Sequence, residues 1–176
     1  ETERNDVPLS PVAFPGLGGA KQDIRIPNNG ILTGINLLFK GTLTTVNGTG
    51  NVTSTYQWPW NLLRRVSLSA NGQTALINAE GLDLRVRRQR FFRNPREELS
   101  SAVGTDTVGT VQQTGAAGNP LPGVIAASAY TIVLEWQVPI VHDDESLVGA
   151  LFAQSDQNYL SVSFTPAQTA DLFALT

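Results

Sequence analysis

The sequence predicts an all-β fold, a β-sandwich with one or two short helices in its loops, and three patterns support this prediction. Residues 130–140 alternate between apolar and polar side chains, and residues 159–164 alternate again after a polar loop. A period of two places alternate side chains on opposite faces of a strand, one toward a core and one toward water. The third pattern is Asn71-Gly72 between two apolar runs, which is typical of a tight hairpin turn.

The predicted strands can be taken in chain order. Residues 31–45 form one long strand, in which Gly41 is predicted to mark a bulge. Residues 62–70 and 73–77 are the two strands of the hairpin around Asn71-Gly72. The side chains predicted to face the core are Ile35, Leu37, Phe39 and Leu43 in the long strand, and Ile132, Leu134, Trp136, Val138 and Ile140 in the strand over 130–140, where Thr131, Glu135 and Gln137 share the other face.

The segments between these strands are predicted to be irregular, apart from residues 81–92. There Leu82, Leu84 and Val86 alternate as in a strand, but the crowded arginines favour a helix. Residues 46–55 are polar and glycine-rich, and residues 103–123 are mostly threonine, glycine and alanine, so both are expected to be surface loops. A second short helix is expected to start at Asn94, which precedes a proline and lies three positions before Glu97. Residues 1–23, rich in proline and glycine, are predicted to be an extended arm before a sandwich domain over 24–176.

Composition excludes several kinds of chemistry. The chain has 176 residues, a net charge of −3, no cysteine and a single histidine. Disulfides, thiolate nucleophiles and metal sites built from cysteine or several histidines are therefore excluded, and no cofactor is predicted. Its apolar runs are far shorter than the about 20 residues that cross a bilayer. Because the chain starts at Glu1, we expect it to be processed or part of a longer protein.

No catalytic residue is predicted. The sequence has no EF-hand spacing, P-loop, zinc motif or Gly-x-Ser-x-Gly. Asp143, Asp144 and Glu145, which follow His142, could supply oxygen ligands or the carboxylate pair of a hydrolase. Adjacent carboxylates in a loop at a strand end usually face water, so the chain is predicted not to be an enzyme.

An arginine cluster is the first candidate contact site. It holds six of the twelve basic residues within twelve positions. Arginine forks pair well with carboxylate or phosphate, so the cluster suits a subunit seam, nucleic acid or anionic lipid. The competing interpretation is a solvated face that pairs with neighbouring carboxylates. The candidates for subunit contact are Arg85, Arg87, Arg88, Arg90, Arg93 and Arg96.

Trp58-Pro59-Trp60 is the second candidate site. Two indoles near each other can stack on a sugar ring, which would make Trp58 and Trp60 recognition residues. The competing interpretation places them in the core, with the proline directing the chain into the next strand.

The order of these features resembles a known family. A long strand over 30–43 is followed by residues 60–73 and the arginine-rich segment, and then by Val138-Pro139-Ile140, residues 147–151 with Gln154, and residues 160–164. Over about residues 24–173 the chain is similar to the jelly-roll major capsid proteins of tailless icosahedral phages that contain a membrane, and to their adenovirus-like relatives.

The resemblance implies a single jelly roll and a role in a virion. Such capsid proteins have one or two jelly rolls of about eight strands each and form trimeric or pseudo-hexameric capsomers, with arms and long loops between neighbours. It implies a capsid subunit whose partners are copies of itself or a sister capsid protein, with the internal membrane or the genome as further contacts and no small-molecule substrate. The chain would be either a single-barrel protein or half of a larger one.

A second function remains open from the sequence. A carbohydrate- or receptor-binding β-sandwich, such as a spike or lectin-like module, would use Trp58, Trp60 and the loop over 103–123 as its recognition edge.

Overall fold

The structure, a computed structural model, describes residues 7–27, 30–44, 52–55, 57–71, 75–91, 110–113, 124–125, 129–141, 147–153 and 159–175. Within these ranges the chain forms antiparallel sheets and short helices, which confirms the all-β prediction. The strands are β1 Gln22–Ile26, β2 Ile31–Leu32, β3 Gly34–Thr44, β4 Val52–Ser54, β5 Leu63–Ala70, β6 Ile77–Ala79, β7 Thr110–Gln113, β8 Val124–Ile125, β9 Ala129–Pro139, β10 Leu151–Phe152, β11 Leu160–Pro166 and β12 Phe173–Leu175; the helices are α1 Gly81–Phe91, α2 Thr169–Leu172 and a 3-10 helix at Trp60–Leu62.

The first sheet has the strand order β1-β11-β5-β6. Val162 at its centre lies opposite Ile24 on one side and Leu68 on the other. Leu68 also pairs with Ile77 across the predicted hairpin, and Asn71 there has a φ of 52°, in the left-handed region that asparagine tolerates. The predicted pairing of two strands across this turn is confirmed by β5 and β6, whereas residues 72–74, which include Gly72 of the predicted turn, lie outside the described residues.

The second sheet has the order β3-β9-β7. Its pairing is unbroken, from Gly34 opposite Pro139 to Thr44 opposite Ala129. The predicted bulge at Gly41 is therefore wrong. A Cβ at Gly41 would lie 2.6 Å from Cζ of Phe39, so the glycine leaves room for that ring while the ladder continues.

The pairing of the two sheets is nested, and this defines the fold. The first strand, β1, pairs with the late strand β11, and β3 pairs with β9, both of which lie between β1 and β11 in the sequence. Next to each pair lie β5 and β7, in the first and second sheet respectively. A ribbon of paired strands that folds over onto itself in this way is a jelly roll, as the sequence predicts.

The core lies between the inner faces of these two sheets. Val66, Leu68 and Val162 come from the first sheet, and Leu134, Trp136 and Val138 from the second; all are at most 1% exposed. The predicted inward side chains of β3 are half-buried against this cluster. The alternating pattern thus predicted the correct face of both long strands.

Part of the predicted arm contacts the core. Residues 7–20 contain no strand or helix, yet Phe14 lies edge-on to Phe39 at 5.0 Å between ring centroids and is parallel to Phe164 at 6.4 Å. The amide of Gly18 donates a hydrogen bond to the carbonyl of Ala167. The division into an arm over 1–23 and a domain over 24–176 stays a prediction.

Two segments predicted to be loops contain strands. Within 46–55, β4 pairs with both β8 and β12, and within 103–123, β7 extends the edge of β9. Neither segment alternates strongly in hydropathy, so the sequence does not predict these strands. A short, polar, threonine-containing segment can still form a strand where a partner strand satisfies its backbone N–H and C=O groups. The predicted helix over 81–92 is confirmed as α1, whereas the helix predicted at Asn94 lies outside the described residues.

Candidate assembly surfaces

Helix α1 divides the predicted arginine cluster. Arg85 is 8% exposed, and its guanidinium carbon lies 4.5 Å from the centroid of the Trp60 ring. Arg87, two positions later, is exposed. Arg88 and Arg90 belong to the same helix, where nothing is described of their side chains, and Arg93 and Arg96 lie outside the described residues. The prediction of a subunit seam at these six arginines stays a prediction.

Arg85 is buried because α1 approaches the rest of the domain closely. A Cβ at Gly81 would lie 2.9 Å from the Leu63 carbonyl oxygen and 2.9 Å from Trp136 Nε1, and it would clash with the Trp60 carbonyl oxygen. Leu84 on the same side of the helix is fully buried. A guanidinium over an indole face, shielded from water, stabilises by about 0.5–2 kcal/mol. Arg85 therefore has a role inside its own chain.

Both candidate recognition tryptophans are buried. Trp58 is 2% exposed and its ring lies 4.8 Å from that of Phe173, and the Trp60 ring is edge-on to Trp136 at 6.1 Å. The peptide bond between Trp58 and Pro59 is cis. Neither indole presents an open face on which a sugar ring could stack, so in this structure the Trp-Pro-Trp segment belongs to the core.

The outer face of the second sheet carries an exposed leucine. Leu38 is 66% exposed, although its neighbours along β3, Leu37 and Phe39, turn toward the core. Glu135 lies directly opposite Leu38 on β9. Burying such a side chain fully is worth about 1.5–3 kcal/mol, so Leu38 is a candidate contact for another molecule.

A second exposed apolar group lies on the ribbon formed by β2 and β10. Phe152 is 68% exposed and pairs across the ribbon with Ile31, which is also exposed, and Val148 precedes the same strand. The amide of Ala153 donates a hydrogen bond to the Gly30 carbonyl, which anchors the ribbon. Leu38 belongs to the second sheet and not to this ribbon.

The outer face of the first sheet is different in character, because small hydroxyl side chains line its centre. Ser69 lies opposite Ser161, and Ser67 lies opposite Ser163 with 2.7 Å between their Oγ atoms. Asp23 and Arg25 of β1 border this face. Asp23 and Arg25 alternate with Ile24 in the sequence, but this short pattern does not predict that β1 is the outermost strand of a sheet.

The described part of the chain contains no candidate metal site. Within it, no group of three or more His, Cys, Asp or Glu side chains is placed to hold a metal ion. The run Asp143, Asp144 and Glu145 lies outside the described residues. No helix described in the structure has the length and apolar character needed to cross a membrane.

Comparisons with known proteins give a structural match alone. No family model and no curated protein sequence matches the chain. Among solved structures 23 chains match. One of them is described as the crystal structure of the STIV MCP, the STIV major capsid protein: it is 15% identical, with a TM-score of 0.46, over 88% of this chain and 45% of that chain. This chain thus spans less than half the length of that protein, and the assignment of a jelly roll rests on the strand topology described above.

Proposed function

We propose that this chain is a structural subunit of a virion, which assembles with copies of itself or with a sister protein into an icosahedral shell. The observation that carries the proposal is that exposed apolar side chains lie on two different sheets of a jelly roll. Leu38 lies on the outer face of the second sheet, and Phe152 lies on the ribbon of β2 and β10. A subunit of a closed shell meets several neighbours at once and needs contact surfaces on more than one side.

The finer features of the proposal follow the resemblance in the sequence. A capsid subunit of a membrane-containing bacteriophage would form trimers or pseudo-hexamers, act in the virion and carry out no reaction. The exposed Arg87 supports a seam on α1, since an arginine on an exposed helix face is available for a carboxylate of a neighbour. Arg85 is not part of that seam in our proposal because it stacks on Trp60.

Light scattering of the purified chain at two salt concentrations tests the proposal. We expect a trimer, hexamer or larger species whose mass changes with salt, because ion pairs between exposed arginines and carboxylates are screened as the ionic strength rises. Arg87→Glu should reduce the assembled fraction and leave the unfolding midpoint in urea within error of the parent. A chain that stays monomeric at both salt concentrations would overturn assembly with copies of itself.

A further inference from the structure

Among the residues that the structure describes, no strand pairs with the outer edge of β1. β1 is the outermost strand of the first sheet, and its inner edge pairs with β11 over its whole length. Within the described ranges, no backbone hydrogen bond joins its other edge to any segment. In an antiparallel sheet alternate residues direct their N–H and C=O groups to either side. Within the described part of the chain, these groups on the outer edge of β1 have no partner strand and are available to a further one.

The charges of β1 alternate in sign along its exposed face. Asp23 and Arg25 are exposed, whereas Ile24 and Ile26 turn toward the core. Nζ of Lys21 lies 2.9 Å from Asp23 Oδ1, with both side chains more than half exposed. Arg25 lies over the Tyr159 ring, 5.1 Å from its centroid. The charges on this side of the chain therefore alternate, with Lys21 positive, Asp23 negative and Arg25 positive.

This order of charges is complementary to itself. If two copies of β1 run antiparallel about a dyad at Ile24, all five residues of each strand pair. Asp23 of each copy then lies opposite Arg25 of the other. A dyad at Asp23 instead would place Asp23 opposite itself and Lys21 opposite Arg25, with like charges facing. Opposite charges directly across an antiparallel pair stabilise it, and like charges destabilise it.

We propose that β1 pairs antiparallel with β1 of a second copy about a dyad at Ile24, joining the two first sheets into one continuous sheet. The complementary charges commit the open edge to a second copy of β1, and Leu9, Ser10 and Val12 line a groove together with residues of β1 and with Pro27. Leu9 and Val12 are exposed there and lose water when a strand enters.

The inference rests on the proposed assembly role, because a contact of five residues per strand is small. An interface below about 1,000 Å² is weak by itself, and it becomes effective where many such contacts act together in a closed shell. We therefore expect the pairing in the assembled protein, at concentrations where light scattering detects assembly.

Cysteine cross-linking tests the register directly, since the chain has no cysteine of its own. Asp23→Cys and Arg25→Cys are made as separate variants and assembled alone or mixed, under mild oxidation. Residues directly opposite each other fall within the about 4.4–6.8 Å between Cα atoms that a disulfide spans, whereas position 23 lies too far from position 23 of the second copy. We expect about tenfold more cross-linked dimer in the mixture than in either variant alone.

The controls separate this inference from the proposed function. Leu38→Cys mixed with Arg25→Cys should give no more dimer than the single variants. An assembled protein without selective cross-linking in the Asp23→Cys and Arg25→Cys mixture overturns the edge pairing alone. Selective cross-linking of a chain that forms nothing larger than a dimer supports the edge pairing and contradicts the shell. A strict monomer without cross-links overturns the edge pairing and assembly with copies of itself.

Discussion

At the scale of single residues, Arg85 and Arg87 show that neighbouring arginines in one cluster can serve different purposes. Both lie on α1, but Arg85 turns inward onto the Trp60 ring and Arg87 faces solvent. The buried arginine contributes packing of its methylene stem as well as its charge. Its loss should act on folding, whereas the loss of Arg87 should act on contacts with other molecules.

The pair gives a matched test of this division. Arg85→Ala should lower the free energy of unfolding by about 1–3 kcal/mol, because it removes a shielded guanidinium from an indole face and leaves a gap beside it. Arg87→Ala should change it by less than about 0.5 kcal/mol. Urea denaturation followed by tryptophan fluorescence measures both values. Equal effects of the two substitutions would contradict the placement of Arg85 in the core.

The same residues mark a limit of sequence analysis. A run of arginines predicts positive charge and ion pairing, and it was interpreted as a seam. Which arginine turns inward depends on Trp60, which is distant in sequence and is brought to the helix by the tertiary fold. For Trp58 and Trp60 the sequence left core and recognition open, and burial decides for the core in both.

At the scale of elements, α1 can pack closely against the sandwich because its first residue is a glycine. Gly81 allows the helix to begin next to the 3-10 helix and Trp136, at a distance that leaves no space for a Cβ atom. This is a requirement for close approach, since its φ is not in the positive range found at Gly16, Gly18, Gly30 and Gly149. The position of Arg85 over Trp60 depends on the same close contact.

Gly81→Ala should therefore destabilise the protein by about 3 kcal/mol, because the added methyl group meets backbone oxygens that cannot move independently. Alanine is otherwise better than glycine in a helix by about 1 kcal/mol, so the sign is opposite to that expected from helix propensity. Differential scanning calorimetry measures the change in melting temperature.

Gly34→Ala is the matched control, because a Cβ at Gly34 would find the Val138 carbonyl oxygen at 3.5 Å, an ordinary contact. This variant should be as stable as the parent or more stable, by about 0.5 kcal/mol, since it restricts the unfolded chain. A Gly81→Ala variant as stable as Gly34→Ala would mean that α1 can move away from Trp136 without loss.

At the scale of the whole molecule, the long strands were predictable and the short ones were not. β3 and β9 alternate strongly because each covers a core with one face, and the sequence therefore predicted both their extent and their inward side. β4 and β7 were missed because a strand that is short and polar derives its order from the partner's backbone. The nested pairing of β1 with β11 joins residues far apart in sequence, so it became visible only in the sheet.

Two leucines on adjacent strands of the second sheet allow effects on assembly to be distinguished from effects on folding. Leu134 of β9 is fully buried and Leu38 of β3 is 66% exposed. Leu134→Ala should cost about 2–5 kcal/mol of unfolding free energy, because it opens a cavity in the core. Leu38→Ala should cost less than about 0.5 kcal/mol but lower the assembled fraction in light scattering, since the side chain finds its apolar environment in a neighbour. Chemical denaturation and solution mass are measured on the same preparations.

Two results would contradict this prediction. A loss of stability in Leu38→Ala comparable to that in Leu134→Ala would mean that the outer face of the second sheet is covered within the chain. Unchanged stability with unchanged assembly would remove Leu38 from the contact surfaces of the proposed shell.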